Sequence, residues 1–152
     1  MEQKKLVFGE KSSSAFPVVA GTGPAGIFCA YELAKYGYRP IIIERGGDID
    51  FRQKEVEKFW QTGVLNTECN VQFGEGGAGT FSDGKLTTRI GDPKSRQVLE
   101  TFVKFGAPEE ILWEAKPHIG TDKLKTTVKA IREEIISLGG QVLFETQLTD
   151  II

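Results

Sequence analysis

Histidine and methionine occur once each in this 152-residue chain, and cysteine only twice. One histidine with acids scattered along the chain gives no ligand cluster, so the sequence offers no support for a metal centre. Cys29 and Cys69 are far apart and form no C-x-x-C pair, which argues against a dithiol mechanism. Cys29 falls inside an expected helix and reads as a small buried thiol. No apolar run approaches the roughly 20 residues of a membrane span, and the charged, serine-rich N-terminus is not a signal peptide. Excess positive charge is also missing: 26% of residues are charged and the formal net charge is −2, so no basic surface points to nucleic acid. The expectation is a soluble, cytoplasmic, single-domain protein without internal repeats, whose 39% apolar residues suffice for a modest core.

Against these absences one stretch stands out. Val18-Val19-Ala20 is a short apolar run that breaks into Gly21-Thr22-Gly23-Pro24-Ala25-Gly26, a G-x-G-x-x-G, and continues into a helical pattern up to Gly37. In this arrangement Gly21 lets the chain turn sharply out of a strand. Gly23 lets the backbone approach a diphosphate, and Gly26 lets helix and strand pack closely. Free N–H groups of the first turn and the positive end of the helix dipole favour an anion there. Pro24 suits a first-turn position, where no helical donor is lost. Pro40 to Glu44 then reads as a second apolar strand ending in an acid, 21 positions beyond Gly23. That is the place of the carboxylate that accepts from a ribose hydroxyl. Glu44 argues against a 2′-phosphate, an argument that Arg45 beside it weakens. The plain alternative is a glycine-rich turn in an ordinary βαβ unit.

Along the rest of the chain, residues 1–15 read as a linker or frayed end and residues 16–152 as a partial dinucleotide-binding domain. Gly46-Gly47 make a turn. Asp50 is expected to cap a helix from Phe51 to about Thr62, stopped by Gly63. Within it, 52–58 reads as a solvated face of mixed charge, and Phe59, Trp60 and Trp113 as packing residues. Leu86 to Ile90 is a possible short strand. Asp92-Pro93 opens a helix whose apolar face is Val98, Leu99, Phe102 and Val103, ending at Gly106. Pro108 to Trp113 adds a further turn or two. Thr121 is expected to cap a last helix with the stripe Leu124, Val128, Ile131, Ile135 and Leu138. Gln141 to Gln147 then reads as the third parallel strand. The expected fold class is therefore α/β, a Rossmann-like unit with a central parallel sheet that stops after the third main strand. Such a topology leaves one edge of the first strand without a partner, which predicts a fragment prone to self-association through that open edge.

A second glycine-rich element, Gly74-Glu75-Gly76-Gly77-Ala78-Gly79-Thr80-Phe81-Ser82-Asp83-Gly84-Lys85, separates a flavoprotein reading from a plain NAD one. Its exposed amides suit phosphate or flavin oxygens. Thr80 and Ser82 can donate from their hydroxyls, and Lys85 can supply positive charge. Its plain alternative is a surface loop, with Asp83-Gly84 a turn.

The glycine motif, Glu44-Arg45-Gly46, the run from Asn70 to Leu86 and Lys116-Pro117-His118-Ile119-Gly120-Thr121-Asp122 together resemble the uncharacterised FAD-dependent dehydrogenases, also called NAD(FAD)-utilising dehydrogenases. These are similar in turn to the glutathione-reductase and fumarate-reductase type of FAD fold. The resemblance covers almost everything from Pro17 onward, and its middle segment is the more specific. It implies tightly held FAD, with the AMP half on Gly21, Gly23, Gly26 and Glu44, flanked by Pro24, Ala25 and Arg45. It places the pyrophosphate and flavin near Gly76, Gly77, Gly79, Thr80, Ser82 and Lys85, and the adenine at Gln147 or Leu148. Members of that family are much longer than this chain.

His118 is the candidate proton partner for hydride chemistry; its plainer reading is a loop histidine near Thr121. The leading expectation is the FAD-binding part of a flavin-dependent oxidoreductase that moves hydride through the flavin, with NAD(P) as a possible electron partner. Two alternatives stand beside it. One is an FAD-dependent RNA-modification flavoprotein, disfavoured by the acidic balance. The other is a non-catalytic piece without cofactor.

Overall fold

The computed structural model describes residues 15–86, 88 and 91–151. The linker expected over residues 1–15 lies outside them except for Ala15, and the strand expected at Leu86–Ile90 lies outside them except for Leu86 and Thr88. Three short parallel strands, β1 (Val18–Ala20), β2 (Ile41–Ile43) and β3 (Gln141–Leu143), stand side by side in the order β1-β2-β3. Parallel neighbours require crossover connections. Helix α1 (Pro24–Lys35) supplies the first, while α2 (Ile49–Thr62), α3 (Lys94–Lys104) and α4 (Thr121–Ser137) lie in the second. The architecture is α/β on a small open parallel sheet.

Period-two alternation decides which strand residues face the helices. Val19, Ile42 and Val142 are in register across the sheet and form one row. That row packs on Ile27, Ala30, Tyr31 and Ala34 of α1 and on Leu124, Val128, Ile131 and Ile135 of α4. The stripe expected on α4 is therefore its buried face, except that Leu138, at the C-cap, is exposed. Phe28 meets Phe102 edge to face with centroids 5.2 Å apart, and Tyr31 meets Phe105 likewise at 5.3 Å. These pairs join α1 to α3 and the turn after it. Only Phe102 is fully buried on α3, so the expected four-residue face narrows; Val98 is exposed. The segment after Pro108 is a 3-10 turn, Glu109–Leu112.

Several boundaries differ from expectation for local reasons. The N-cap of α2 is Asp48, not Asp50: its carboxylate accepts from the Phe51 amide at 2.8 Å, and the helix starts two residues earlier. Asp50 instead pairs with Lys129 at 2.9 Å. Replacing Asp48 with alanine is expected to cost about 1 kcal/mol of stability in chemical denaturation. The same change at Asp50 removes an exposed ion pair and is expected to cost well under 1 kcal/mol. Gly63 ends α2 in the left-handed conformation, φ 73°, as the sequence predicts. On α4, Gly120 occupies the cap and Thr121 is the first helical residue, its hydroxyl donating to the Ser82 carbonyl at 2.6 Å.

Strand β3 ends at Leu143 rather than Gln147, because Glu145 takes φ 51° and turns the chain over the sheet end. Cys29 is exposed rather than buried, and Trp60 and Trp113 are exposed rather than packed. Phe59 is half-buried. β1 has a single neighbour among the described residues, and Val18 beside its open edge is 61% exposed.

Candidate functional site

At the C-terminal ends of the strands the chain leaves the sheet in loops that border an open cavity of about 340 Å³. Four separate segments line it: Ala20, Gly21 and Gly23 after β1; Ile43, Glu44 and Arg45 after β2; Gln72, Phe73, Gly74 and Gly77 from the long connection; and Thr146, Gln147 and Leu148 after β3. Backbone bonds prolong the sheet into this rim. Gly21 donates to the Ile43 carbonyl at 2.7 Å, Glu44 to Leu143 at 2.9 Å and Thr146 to Glu44 at 2.8 Å. The loops thus leave a rigid scaffold, as sites at the carboxyl ends of parallel strands do.

The glycines divide the work. A Cβ on Gly26 would overlap the Gly21 carbonyl oxygen, so α1 sits against the β1 turn only because this position is bare. A Cβ on Gly23 would meet nothing within 4 Å among the described residues. Gly23 is the N-cap of α1 and faces open space, not a neighbouring side chain. Among the described residues the amides of Ala25 and Gly26 donate to no protein acceptor, and Ile27 is the first to bond back, to the Gly23 carbonyl at 3.0 Å. Free first-turn donors next to a backbone without side chain are the chemistry of an anion seat. The second glycine segment closes against the first. Gly76 donates to the Thr22 carbonyl at 3.0 Å, and Gly77, at φ 65°, approaches so near that its Cβ would lie 3.1 Å from the Gly23 Cα.

Glu44 is buried, and both carboxylate oxygens are in use. Oε2 accepts from the Thr22 amide at 2.9 Å and its hydroxyl at 2.7 Å. Oε1 accepts from the amides of Gly46 at 2.9 Å and Gly74 at 3.1 Å. Burial pushes its pKa up, but the hydrogen bonds from Gly46, Thr22 and Gly74 outweigh this and hold it below the ordinary carboxylate value. The carboxylate therefore ties three loops together at the cavity wall, a role that spacing alone did not reveal. Beside it, Arg45 pairs with Glu68 at 2.7 Å and lies 4.1 Å over the Phe73 ring.

The expected site residues separate into two groups. Gly21, Gly23, Glu44, Arg45, Gly77 and Leu148 line the one cavity. Pro24 and Ala25 stand exposed at the start of α1 beside it. Gly26 and Gly76 act as backbone packing behind the wall, where a Cβ on Gly76 would overlap the Thr80 hydroxyl. Gly79 is not among the lining residues.

The hydroxyls of Thr80 and Ser82, expected as donors to a ligand, have partners within the loop itself. Thr80 is fully buried, with its hydroxyl directed to the Glu75 carbonyl at 3.5 Å. Ser82 donates to Gly79 at 2.7 Å and closes its own turn. Lys85 is exposed and paired with Asp83 at 2.5 Å, away from the lining. His118 is exposed, lies opposite Lys85 in an isolated antiparallel bridge and does not line this cavity.

Two features escaped the sequence. Thr22 is buried against Glu44. Arg52, expected on a solvated face, is completely buried. Its signal was present: Ile49, Arg52 and Val56 are the buried residues of α2, at i, i+3 and i+7 spacing. No group of His, Cys, Asp or Glu among the described residues is arranged to hold a metal ion, and no helix among them is long and apolar enough to cross a membrane.

No family model matches the chain. A protein of Clostridium beijerinckii, described only as an uncharacterized protein, is 58% identical to it over 150 residues. That alignment takes in 99% of this chain and 28% of the relative, so the chain spans little more than a quarter of the relative's length.

Proposed function

We propose that this chain is the adenine-dinucleotide-binding part of a flavin-dependent oxidoreductase, and that its α/β architecture is a Rossmann-like half. The observation that carries the reading is convergence. Segments separated by up to some hundred residues of sequence, two of them glycine-rich, meet around one cavity at the ends of the parallel strands. The residues fit the cofactor on three counts. Gly23 leaves room that a side chain would fill, the amides of Ala25 and Gly26 lack protein acceptors among the described residues, and half-buried Ile43 with exposed Leu148 offers apolar surface to a ring. The diphosphate sits on Gly23, Ala25 and Gly26 in this reading, and the adenosine end reaches the loop after β3. Bound FAD would supply hydride transfer, with a nicotinamide as the second carrier. The chain's own residues bind, orient and exclude water.

Favouring FAD over NAD alone is the long second glycine segment, which docks on the first instead of passing directly to a helix. The visible spectrum of the purified protein after gel filtration tests this. The bands of oxidised flavin eluting with the protein are expected; a colourless protein that takes up NAD but no FAD overturns the flavin assignment. The open β1 edge favours a second property, self-association, which sedimentation at several concentrations reads directly.

A further inference from the structure

Among the described residues Arg52 is the largest fully buried side chain, yet no carboxylate there accepts a hydrogen bond from it. Its guanidinium is satisfied by backbone carbonyls instead. Nε donates to Asn70 at 2.8 Å and Nη2 to Val71 at 2.9 Å. Nη1 donates to Glu75 at 2.6 Å and Gly77 at 2.7 Å, with Gly74 more distant at 3.5 Å. The planar group also lies 4.6 Å from the centre of the Phe81 ring. Gly74 is bare because the side-chain stem passes there: a Cβ would come within 2.7 Å of Arg52 Cδ. Desolvation lowers the guanidinium pKa to about 10, which leaves it charged at neutral pH.

The carbonyls it grips flank Gln72, Phe73, Gly74 and Gly77, the residues that the long connection contributes to the cavity. Hydrogen bonds at Asn70 and Val71 fix one end of this wall, and those at Glu75 and Gly77 fix the other. A lysine carries the same charge on one compact ammonium with no fork, and cannot span both ends.

We infer that Arg52 is a positioning residue for the ligand of this cavity: it touches no ligand, and holds residues 70–77 in the shape that forms one wall. This rests on the reading of the cavity as a dinucleotide site. The test compares wild-type protein, Arg52→Lys and Phe81→Leu by ADP titration and by amide hydrogen exchange. In Arg52→Lys, ADP binding is expected to weaken roughly tenfold or more. Exchange should rise at Glu75, Gly76 and Gly77, whose amides are bonded in the native loop, while β2 and α4 stay protected. Phe81→Leu removes the ring against the guanidinium, a ring that Lys125 Nζ also approaches at 4.7 Å, leaves the Arg52 hydrogen bonds in place, and is expected to weaken ADP binding about threefold.

Unchanged affinity in Arg52→Lys, or exchange rising equally across β2 and α4, overturns the inference, because the second pattern is general stability alone. Should Arg52→Lys fail to fold, Phe81→Leu decides: wild-type affinity and wild-type exchange at 75–77 overturn it as well. Wild-type protein that does not bind ADP refutes the dinucleotide reading, and the exchange comparison then still judges whether Arg52 holds the loop.

Discussion

If the proposed dinucleotide site is right, Gly23→Val is expected to leave a folded protein whose ADP affinity has fallen roughly a hundredfold or more. The two halves of this expectation have separate causes. Gly23 has φ −63° and ψ 175°, a conformation open to any residue, and a Cβ there meets nothing within 4 Å. Folding therefore loses little, about 1 kcal/mol at most for a branched residue at a helix N-cap. The space it fills is the space beside the free amides of Ala25 and Gly26, where an anion would sit. Gly26→Ala behaves differently, because its Cβ overlaps the Gly21 carbonyl oxygen and the α1–β1 contact must open. That variant is expected to lose stability and binding together. Thermal melts paired with ADP or FAD titration separate the two; a Gly23→Val protein that binds as wild type does removes the role given to Gly23.

Glu44→Gln is expected to lower stability by about 2–3 kcal/mol and to erase part of the acid sensitivity of the fold. The carboxylate accepts two donors on each oxygen. A glutamine amide presents one acceptor and one NH₂, so at least one backbone N–H is left facing another donor. The Thr22 hydroxyl can turn to accept, but the amides of Thr22, Gly46 and Gly74 cannot. The pH dependence follows from the same contacts. The Glu44 pKa lies below its ordinary value in the folded protein. The stability it contributes is complete above the ordinary carboxylate value, about 4.3. It is lost as pH falls through the lower, folded value. Denaturant melts from neutral to acid pH should show this loss in wild type and a flatter profile in Glu44→Gln. Parallel profiles would show that Glu44 does not clasp the loops.

Residues near each other in sequence were legible because local physics sets them. The G-x-G-x-x-G between β1 and α1, the stop at Gly63 and the stripe from Leu124 to Ile135 all follow from backbone freedom or helical spacing. Gly26 is packed as its place in the motif predicts, and Leu148 reaches the cavity. What the sequence could not convey was how the long connection folds back. Thr80 and Ser82 look like ligand donors in one dimension, but their hydroxyls are used by the loop itself once it curls. Arg52 looked solvated because its neighbours are charged; its burial depends on carbonyls 18 to 25 positions away. Glu44 was read as an acceptor for a ligand, and its bonds to Thr22 and Gly74 appear only when three loops meet. Asp48 and Asp50 both suit a cap, and the choice between them falls to the one whose carboxylate reaches the Phe51 amide.

The central claim is that a diphosphate rests on the first turn of α1. The most direct measurement is the set of backbone amide NMR shifts during ADP titration of the protein. Saturable shifts at Gly23, Ala25 and Gly26, joined by Gly74 and Gly77 across the cavity, are the predicted result. Saturable shifts elsewhere with these five amides unmoved, or no response to ADP at all, would contradict the account.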